Sequence, residues 1–207
     1  AASHPYLCYI NSDILLLDDF LPAFEKVRQR FKKFLMVSSR WNLDIETILP
    51  LDLESDRTYL REKALKRHDM YPAGGSDFFV FSKDMFQEVP PFLLGRGYWD
   101  NWLMYQAKQE KAPLIDVTSD VVAIHQNHDY SHVQGFKAGS QDMKKVCKAE
   151  EGRRNFQLLG GQKHNYNNYD ADYVLINDQF TSTWTLKFIF RRIKSSLRRL
   201  KLRLLSN

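Results

Sequence analysis

The sequence predicts an α/β domain over residues 1–178, followed by a basic helical tail over residues 179–207. Short apolar runs rich in aromatic and β-branched residues, which are typical of strands, alternate with amphipathic stretches typical of helices. The tail contains eight Lys and Arg residues and no acid, whereas the whole chain has a formal net charge of +5. The body therefore has a net charge of −3, and the basic character belongs to the tail.

In the first half of the body, the sequence predicts strands alternating with helices, beginning with a strand. Asp18 or Asp19 is expected to cap the first helix, because short acidic side chains accept hydrogen bonds from the free N–H groups of a helix start. The predicted elements are a buried strand over 6–10, a helix to about 31, a buried strand over 34–38, an exposed helix over 55–68 and a strand after Gly75.

The second half continues the pattern with a helix after a glycine-rich loop. Pro113 interrupts the chain before the next apolar run, since proline cannot donate a backbone hydrogen bond. The predicted elements are a helix over 99–108, strands over 114–117 and 121–124, two surface helices over 139–160 interrupted at Gly152, and a loop over 160–170 that either connects surface elements or closes over a ligand.

Four polar motifs interrupt this pattern at the ends of predicted strands or at a helix start. The first is Asn11-x-Asp13, where a carboxylate follows a strand and offers the oxygen ligand that hard cations prefer. The alternative for this motif is a simple Asx turn. The other three are Gly74-Gly75-Ser76-Asp77, Gly95-Arg96-Gly97-Tyr98-Trp99-Asp100 and the histidines at 125, 128 and 132.

These motifs, in this order, resemble the second half of the catalytic domain of GT-A nucleotide-sugar glycosyltransferases, over residues 6–135. The inverting β-1,4-galactosyltransferase type has a similar glycine pair, aromatic-acidic loop and late histidine. This sequence departs from that type at Asn11, where an acid is usual, and lacks a doubled acid at Asp100. The resemblance implies a metal-dependent, inverting transfer of a sugar from a nucleotide-sugar donor to a glycan or lipid-linked acceptor.

The resemblance also implies a role for particular residues. Asp13, assisted by Asn11, and His125 would hold Mn²⁺ or Mg²⁺, with His128 as the alternative histidine. His132 is expected to be an ordinary loop residue. A zinc site is the other hypothesis for the histidines, but no cysteine pattern or H-E-x-x-H motif supports it.

Asp100 is the candidate catalytic base, because a positioned carboxylate can accept the proton of an acceptor hydroxyl. Its alternative role is to stabilise the start of a helix. Gly75, Asp77, Tyr98 and Trp99 are the candidate substrate-binding residues, with Trp99 as the stacking platform and Asp77 bonded to sugar hydroxyls.

Only ten residues precede Asn11, whereas GT-A domains place their nucleotide-binding half before the metal motif. We therefore expect this half to be missing from the chain; the alternative is a small α/β domain with an unusual start. Two other functions stay open: an inactive scaffold of the same fold, favoured by Asn11, and a glycoside hydrolase that uses Asp77 and Asp100.

Apolar residues in the tail recur at helical spacing among the cations, at positions 184, 188, 189, 193, 197, 200 and 204. This pattern favours peripheral binding of residues 184–204 to an anionic membrane, with docking on protein as the alternative. Nucleic acid is not expected as a partner, because the body has no basic motif. No run of about eighteen apolar residues is present, and Cys8 and Cys147 predict no disulfide framework, so a cytoplasmic location is expected.

Overall fold

A computed structural model describes residues 3–49, 51–67, 69–70, 75–128 and 147–204. Within these residues the chain is an α/β structure with two sheets and five α-helices. The strands are β1 Tyr6–Ile10, β2 Ile14–Leu16, β3 Leu35–Val37, β4 Arg40–Leu43, β5 Phe78–Ser82, β6 Leu114–Asp116, β7 Ala123–Gln126, β8 Tyr173–Ile176 and β9 Gln179–Ser182. The helices are α1 Phe20–Arg30, α2 Glu54–Arg67, α3 Trp99–Gln109, α4 Glu150–Leu159 and α5 Leu186–Leu204.

The larger sheet has six strands in the order β1-β5-β3-β6-β8-β9. Its central pairs β3–β6 and β6–β8 are parallel, whereas the outer pairs are antiparallel. Buried apolar side chains cover both faces of β3, as expected for a central strand. The smaller sheet has the order β2-β7-β4. Among the described residues no helix is both long and apolar enough to cross a membrane.

Several sequence predictions are confirmed, with boundaries shifted by a few residues. The predicted strands over 6–10, 34–38 and 114–117 are β1, β3 and β6, and the predicted helices to 31, over 55–68 and over 99–108 are α1, α2 and α3. Strand β1 pairs with β5 along its whole length, so the opening strand has a neighbour within the chain.

Other predictions are wrong in detail. Strand β1 is an edge strand and not a buried one, and Cys8 is exposed on it. Asp19 makes no capping bond; its carboxylate instead accepts hydrogen bonds from the Arg61 guanidinium and from the Val122 N–H. Helix α4 runs through Gly152 without interruption, and residues 139–146 of the first predicted helix lie outside the described residues.

The predicted boundary between body and tail falls inside the β8–β9 hairpin. Strand β9 is the last strand of the larger sheet, so residues 179–182 belong to that sheet. Helix α5 begins at Leu186, and its Ser195 is buried against the short 3₁₀ helix Asn168–Asp170. The tail therefore contains a strand of the domain and one helix that packs on it.

Candidate functional site

A cavity of about 470 Å³ lies where the polar motifs meet. Its wall contains residues from all four motifs: Asn11 and Asp13, Gly75 and Asp77, Gly97 to Asp100, and the histidines at 125 and 128. The remaining residues of two motifs, Gly74 and His132, lie outside the described residues. Segments up to about a hundred positions apart in sequence thus contribute to one concave surface.

Two strand pairings bring these motifs together. In the larger sheet Ile10 is opposite Phe78, so Asn11 follows β1 beside Asp77, and the Asn11 N–H donates to the Asp77 carbonyl oxygen at 2.9 Å. In the smaller sheet Ile14 is opposite His125, which brings Asp13 next to that histidine. The turn 11–13 therefore bridges the two sheets, and a shift in either register would separate the motifs.

Asp13 and two histidines form a compact cluster at one end of the cavity. His128 Nε2 lies 2.9 Å and His125 Nε2 lies 3.4 Å from the same carboxylate oxygen of Asp13. Burial alone would raise the pKa of Asp13, but the hydrogen bonds from both histidines outweigh it and lower the pKa to about 2. The Asp13 side chain is partly buried, and its low pKa means that the carboxylate is ionised at neutral pH.

The donor atoms of this cluster suit a divalent cation. One oxygen and two nitrogens from the three residues lie within 4.8 Å of one another. Asp13 Oδ1 and His125 Nδ1 are buried and have no hydrogen-bond partner among the described residues. A carboxylate oxygen suits Mn²⁺ or Mg²⁺, whereas imidazole nitrogens suit ions such as Zn²⁺.

The structure refines the position of the two histidines. His125 was expected just after a strand, but it lies inside β7, which runs to Gln126, and its side chain is buried. His128 lies beyond the strand and is partly exposed. Both contact Asp13, so the two histidines predicted as alternatives occur together in one cluster.

Asn11 and Asp77 are tied to each other and to an arginine. The Asn11 amide donates to Asp77 Oδ1 at 2.7 Å, and the buried Arg40 guanidinium donates to Asp77 Oδ2. Both carboxylate oxygens of Asp77 are therefore engaged within the protein. Arg40 lies on the cavity wall and was missed as a functional residue by the sequence analysis. The only signal was an arginine directly after the polar pair Ser38-Ser39 at a strand end.

Asp100 differs from Asp77 in its surroundings, although both line the cavity. It lies in the first turn of α3, and its Oδ1 is buried without a hydrogen-bond partner in the described structure. Burial raises the pKa of Asp100 to about 7, and the nearby negative charge of Asp77 adds to the increase. A carboxylate with such a pKa exchanges its proton near neutral pH, as general bases do.

The glycine-rich loop before α3 has a backbone that shapes this part of the cavity. Gly97 has φ +76°, and a Cβ atom there would lie 2.8 Å from Cys147 Sγ. Tyr98, which follows, also has a left-handed φ of +68°, a conformation that costs a non-glycine residue energy and often occurs at functional sites. A side chain at position 97 would therefore be strained, and the left-handed Tyr98 directly precedes α3.

The predicted stacking platform, Trp99, is largely a core residue. Only 8% of it is exposed, and it packs edge-on against Tyr9 and Phe79. It reaches the cavity wall with the remaining surface. Trp102 also belongs to the core. Tyr98 packs on Phe156 and is the more accessible aromatic residue of the loop.

The segment predicted as a loop over 160–170 contains two short 3₁₀ helices and supports the site from behind. Asn168 is completely buried, accepts from Ser76 at 2.6 Å and donates to Ser39 at 3.1 Å. These serines precede Asp77 and Arg40 in the chain. The segment therefore positions the ion pair on the cavity wall, and neither of its predicted roles describes it.

Comparison with known protein families, with characterised proteins and with solved structures finds no match to this chain. The function therefore has to be argued from the cavity and its residues.

Proposed function

We propose that this chain carries the metal-binding and proton-accepting part of a GT-A glycosyltransferase. It would transfer a sugar from a nucleotide-sugar donor to a glycan or lipid-linked acceptor. The supporting observation is that one cavity contains both the Asp13, His125 and His128 cluster and a buried carboxylate, Asp100, with a pKa of about 7. Glycosyl transfer needs a cationic group near the leaving diphosphate and a base near the acceptor.

Asp100 would act as the base of a single displacement. As the acceptor oxygen bonds to the anomeric carbon, its proton passes to the Asp100 carboxylate, and the bond from that carbon to the donor diphosphate breaks. The nucleoside diphosphate leaves with the electron pair, and the configuration at the anomeric carbon inverts. Burial and the nearby negative charge of Asp77 raise the pKa of Asp100 to about 7, so its carboxylate can accept a proton near neutral pH.

Asp13, His125 and His128 would hold Mn²⁺, with Asn11 beside them on the same turn. When bound, the ion would neutralise negative charge on the diphosphate as a Lewis acid. Arg40 adds a fixed positive charge on the same wall, while its bond to Asp77 holds the guanidinium in place. Gly75 and Tyr98 would contact the substrate along the remaining wall.

The glycoside hydrolase hypothesis receives less support. It needs Asp77 as the second carboxylate, but both oxygens of Asp77 already accept hydrogen bonds from Asn11 and Arg40. A hydrolase pair needs one carboxyl group that gives up its proton and one that attacks or activates water. Asp100, with its raised pKa, would be the acid, so Asp77 would have to attack or activate water while both of its oxygens accept hydrogen bonds from the protein.

The test is release of nucleoside diphosphate from a panel of nucleotide sugars in the presence of Mn²⁺. We expect turnover with at least one donor, and loss of turnover in Asp100→Asn and Asp13→Ala. Asp84→Asn, an exposed acid outside the cavity, serves as the matched control. An unliganded protein whose melting temperature does not respond to Mn²⁺ with nucleoside diphosphate would instead favour the inactive scaffold.

A further inference from the structure

Helix α5 packs on the domain through its polar side. Ser195 is buried and donates to Asp170 at 2.8 Å, and Arg199 binds the other oxygen of Asp170 at 2.5 Å. Arg191 pairs with the buried Asp116, and Arg192 donates to the Ala171 carbonyl oxygen at 2.9 Å. These three arginines are therefore engaged with the body and do not form a free basic surface.

The opposite side of the helix is apolar and exposed. We name it the outer face, and its members recur every three or four residues: Leu186, Phe190, Ile193, Leu197 and Leu200. Their exposed fractions run from 46% for Ile193 to 87% for Leu186. Phe188 and Ile189, which the sequence analysis also placed in the stripe, are less exposed than these residues. Trp184, just before the helix, is 67% exposed.

One edge of the outer face carries cations. Lys187 and Lys194 are exposed, lie seven positions apart and so fall on the same side of the helix. No acidic residue follows Asp178 in the chain. A helix with an apolar strip, a lysine edge and no acid is suited to the boundary between anionic headgroups and acyl chains.

We propose that the outer face of α5 binds an anionic membrane surface, with Lys187 and Lys194 at the headgroups and the apolar residues below them. The helix would lie in the plane of the membrane, since no described helix can cross it. A second copy of the chain is a less suitable occupant, because two outer faces would bring lysines together with no acid in either helix to pair with them.

The experiment is flotation of the full chain with vesicles of phosphatidylcholine alone or mixed with phosphatidylglycerol. We expect the wild type to float only with the mixed vesicles. Ile193→Ser combined with Leu197→Ser should weaken binding about a hundredfold even at low salt, because exposed apolar side chains drive insertion and contribute little to folding. Lys187→Gln combined with Lys194→Gln should weaken it about fivefold for each lysine, and added salt should remove that difference.

Matched controls come from exposed residues elsewhere in the chain. Leu21→Ser with Ile48→Ser removes two exposed apolar side chains, and Lys63→Gln with Lys66→Gln removes two exposed cations. Both control pairs should float like the wild type. Failure of the wild type to bind the mixed vesicles, or equal binding by the Ile193 and Leu197 variant, would overturn the proposal. So would a wild-type dimer in sedimentation that this variant converts to a monomer, because the outer face would then be an interface between copies.

Discussion

The cavity and the junction between α5 and the domain both contain buried or partly buried carboxylates, but these differ in how many of their oxygens accept hydrogen bonds. At the junction, Asp116 and Asp170 have both oxygens in hydrogen bonds, to Thr118 and Arg191 in one case and to Asn167, Ser195 and Arg199 in the other. In the cavity, Asp13 and Asp100 each keep one buried oxygen without a partner among the described residues.

This difference distinguishes Asp13 and Asp100 from the two carboxylates at the junction. A buried polar atom without a partner destabilises a protein by about 1–3 kcal/mol, so it persists where another molecule completes its bonding or where the site needs a reactive group. The junction carboxylates hold a helix in place and have no bonding capacity left. The cavity carboxylates keep an oxygen without a partner among the described residues, which fits the ligand-binding role proposed for them. Substitutions at the junction should therefore act mainly on stability, and substitutions in the cavity mainly on activity and ligand binding.

The largest effect is expected for Asp100→Asn on catalysis. If Asp100 accepts the acceptor proton, the variant should lower the transfer rate by about 10²–10⁴ while donor affinity changes little. In the wild type the rate should rise with pH through about 7 and then level off, since the base must be deprotonated. Steady-state kinetics across this range checks both points. A loss confined to donor binding would place Asp100 on the donor instead.

The next effect is expected at the junction, for Asp170→Ala. This substitution leaves the Arg199 guanidinium, which is 16% exposed, without its carboxylate, and the free energy of unfolding should fall by about 3 kcal/mol. Urea denaturation measures it. An unchanged midpoint would mean that α5 is held by other contacts, and the contrast between the two regions would fail.

Asp100→Asn should affect stability in the opposite direction. The pKa of Asp100 is about 7 in the folded protein, above its ordinary value of 3.8, so its ionisation costs folding free energy that grows as pH rises from about 4 to about 7. Near pH 8 the variant should exceed the wild type in free energy of unfolding by about 2–4 kcal/mol, and near pH 4 the two should be equal. Urea denaturation at both pH values tests this, and a gap that does not depend on pH would contradict it.

The smallest stability effect is expected for Asp13→Ala. The variant loses hydrogen bonds with His125 and His128, and its free energy of unfolding should fall by about 1 kcal/mol. If Asp13 binds the ion, Mn²⁺ should raise the melting temperature of the wild type and not that of the variant. Asp84→Asn, the control, should keep that response. Equal stabilisation of wild type and Asp13→Ala by Mn²⁺ would remove Asp13 from the metal site.

The sequence predicted the α/β class, most of the strands and helices, and many residues of the cavity wall, although not Arg40. Apolar periodicity indicates which segments are strands or helices, and polar residues at strand ends, such as Asp13, indicate candidate ligands, because both signals are local in the chain. The same local signals located Asp100 beside its glycine-rich loop. They also predicted that the basic residues concentrate in the last helix.

Only the tertiary structure decided how these residues are used. Strand pairing placed Asn11 beside Asp77 and Asp13 beside His125, and no local pattern specifies which strands pair. It paired Arg40 with Asp77 and left Asp100 Oδ1 without a hydrogen-bond partner among the described residues, although both acids follow glycines in the sequence. It also turned the arginines of α5 inward and its apolar face outward. The reason is that burying Asp116 and Asp170 without cationic partners would cost more free energy than leaving the apolar side chains exposed.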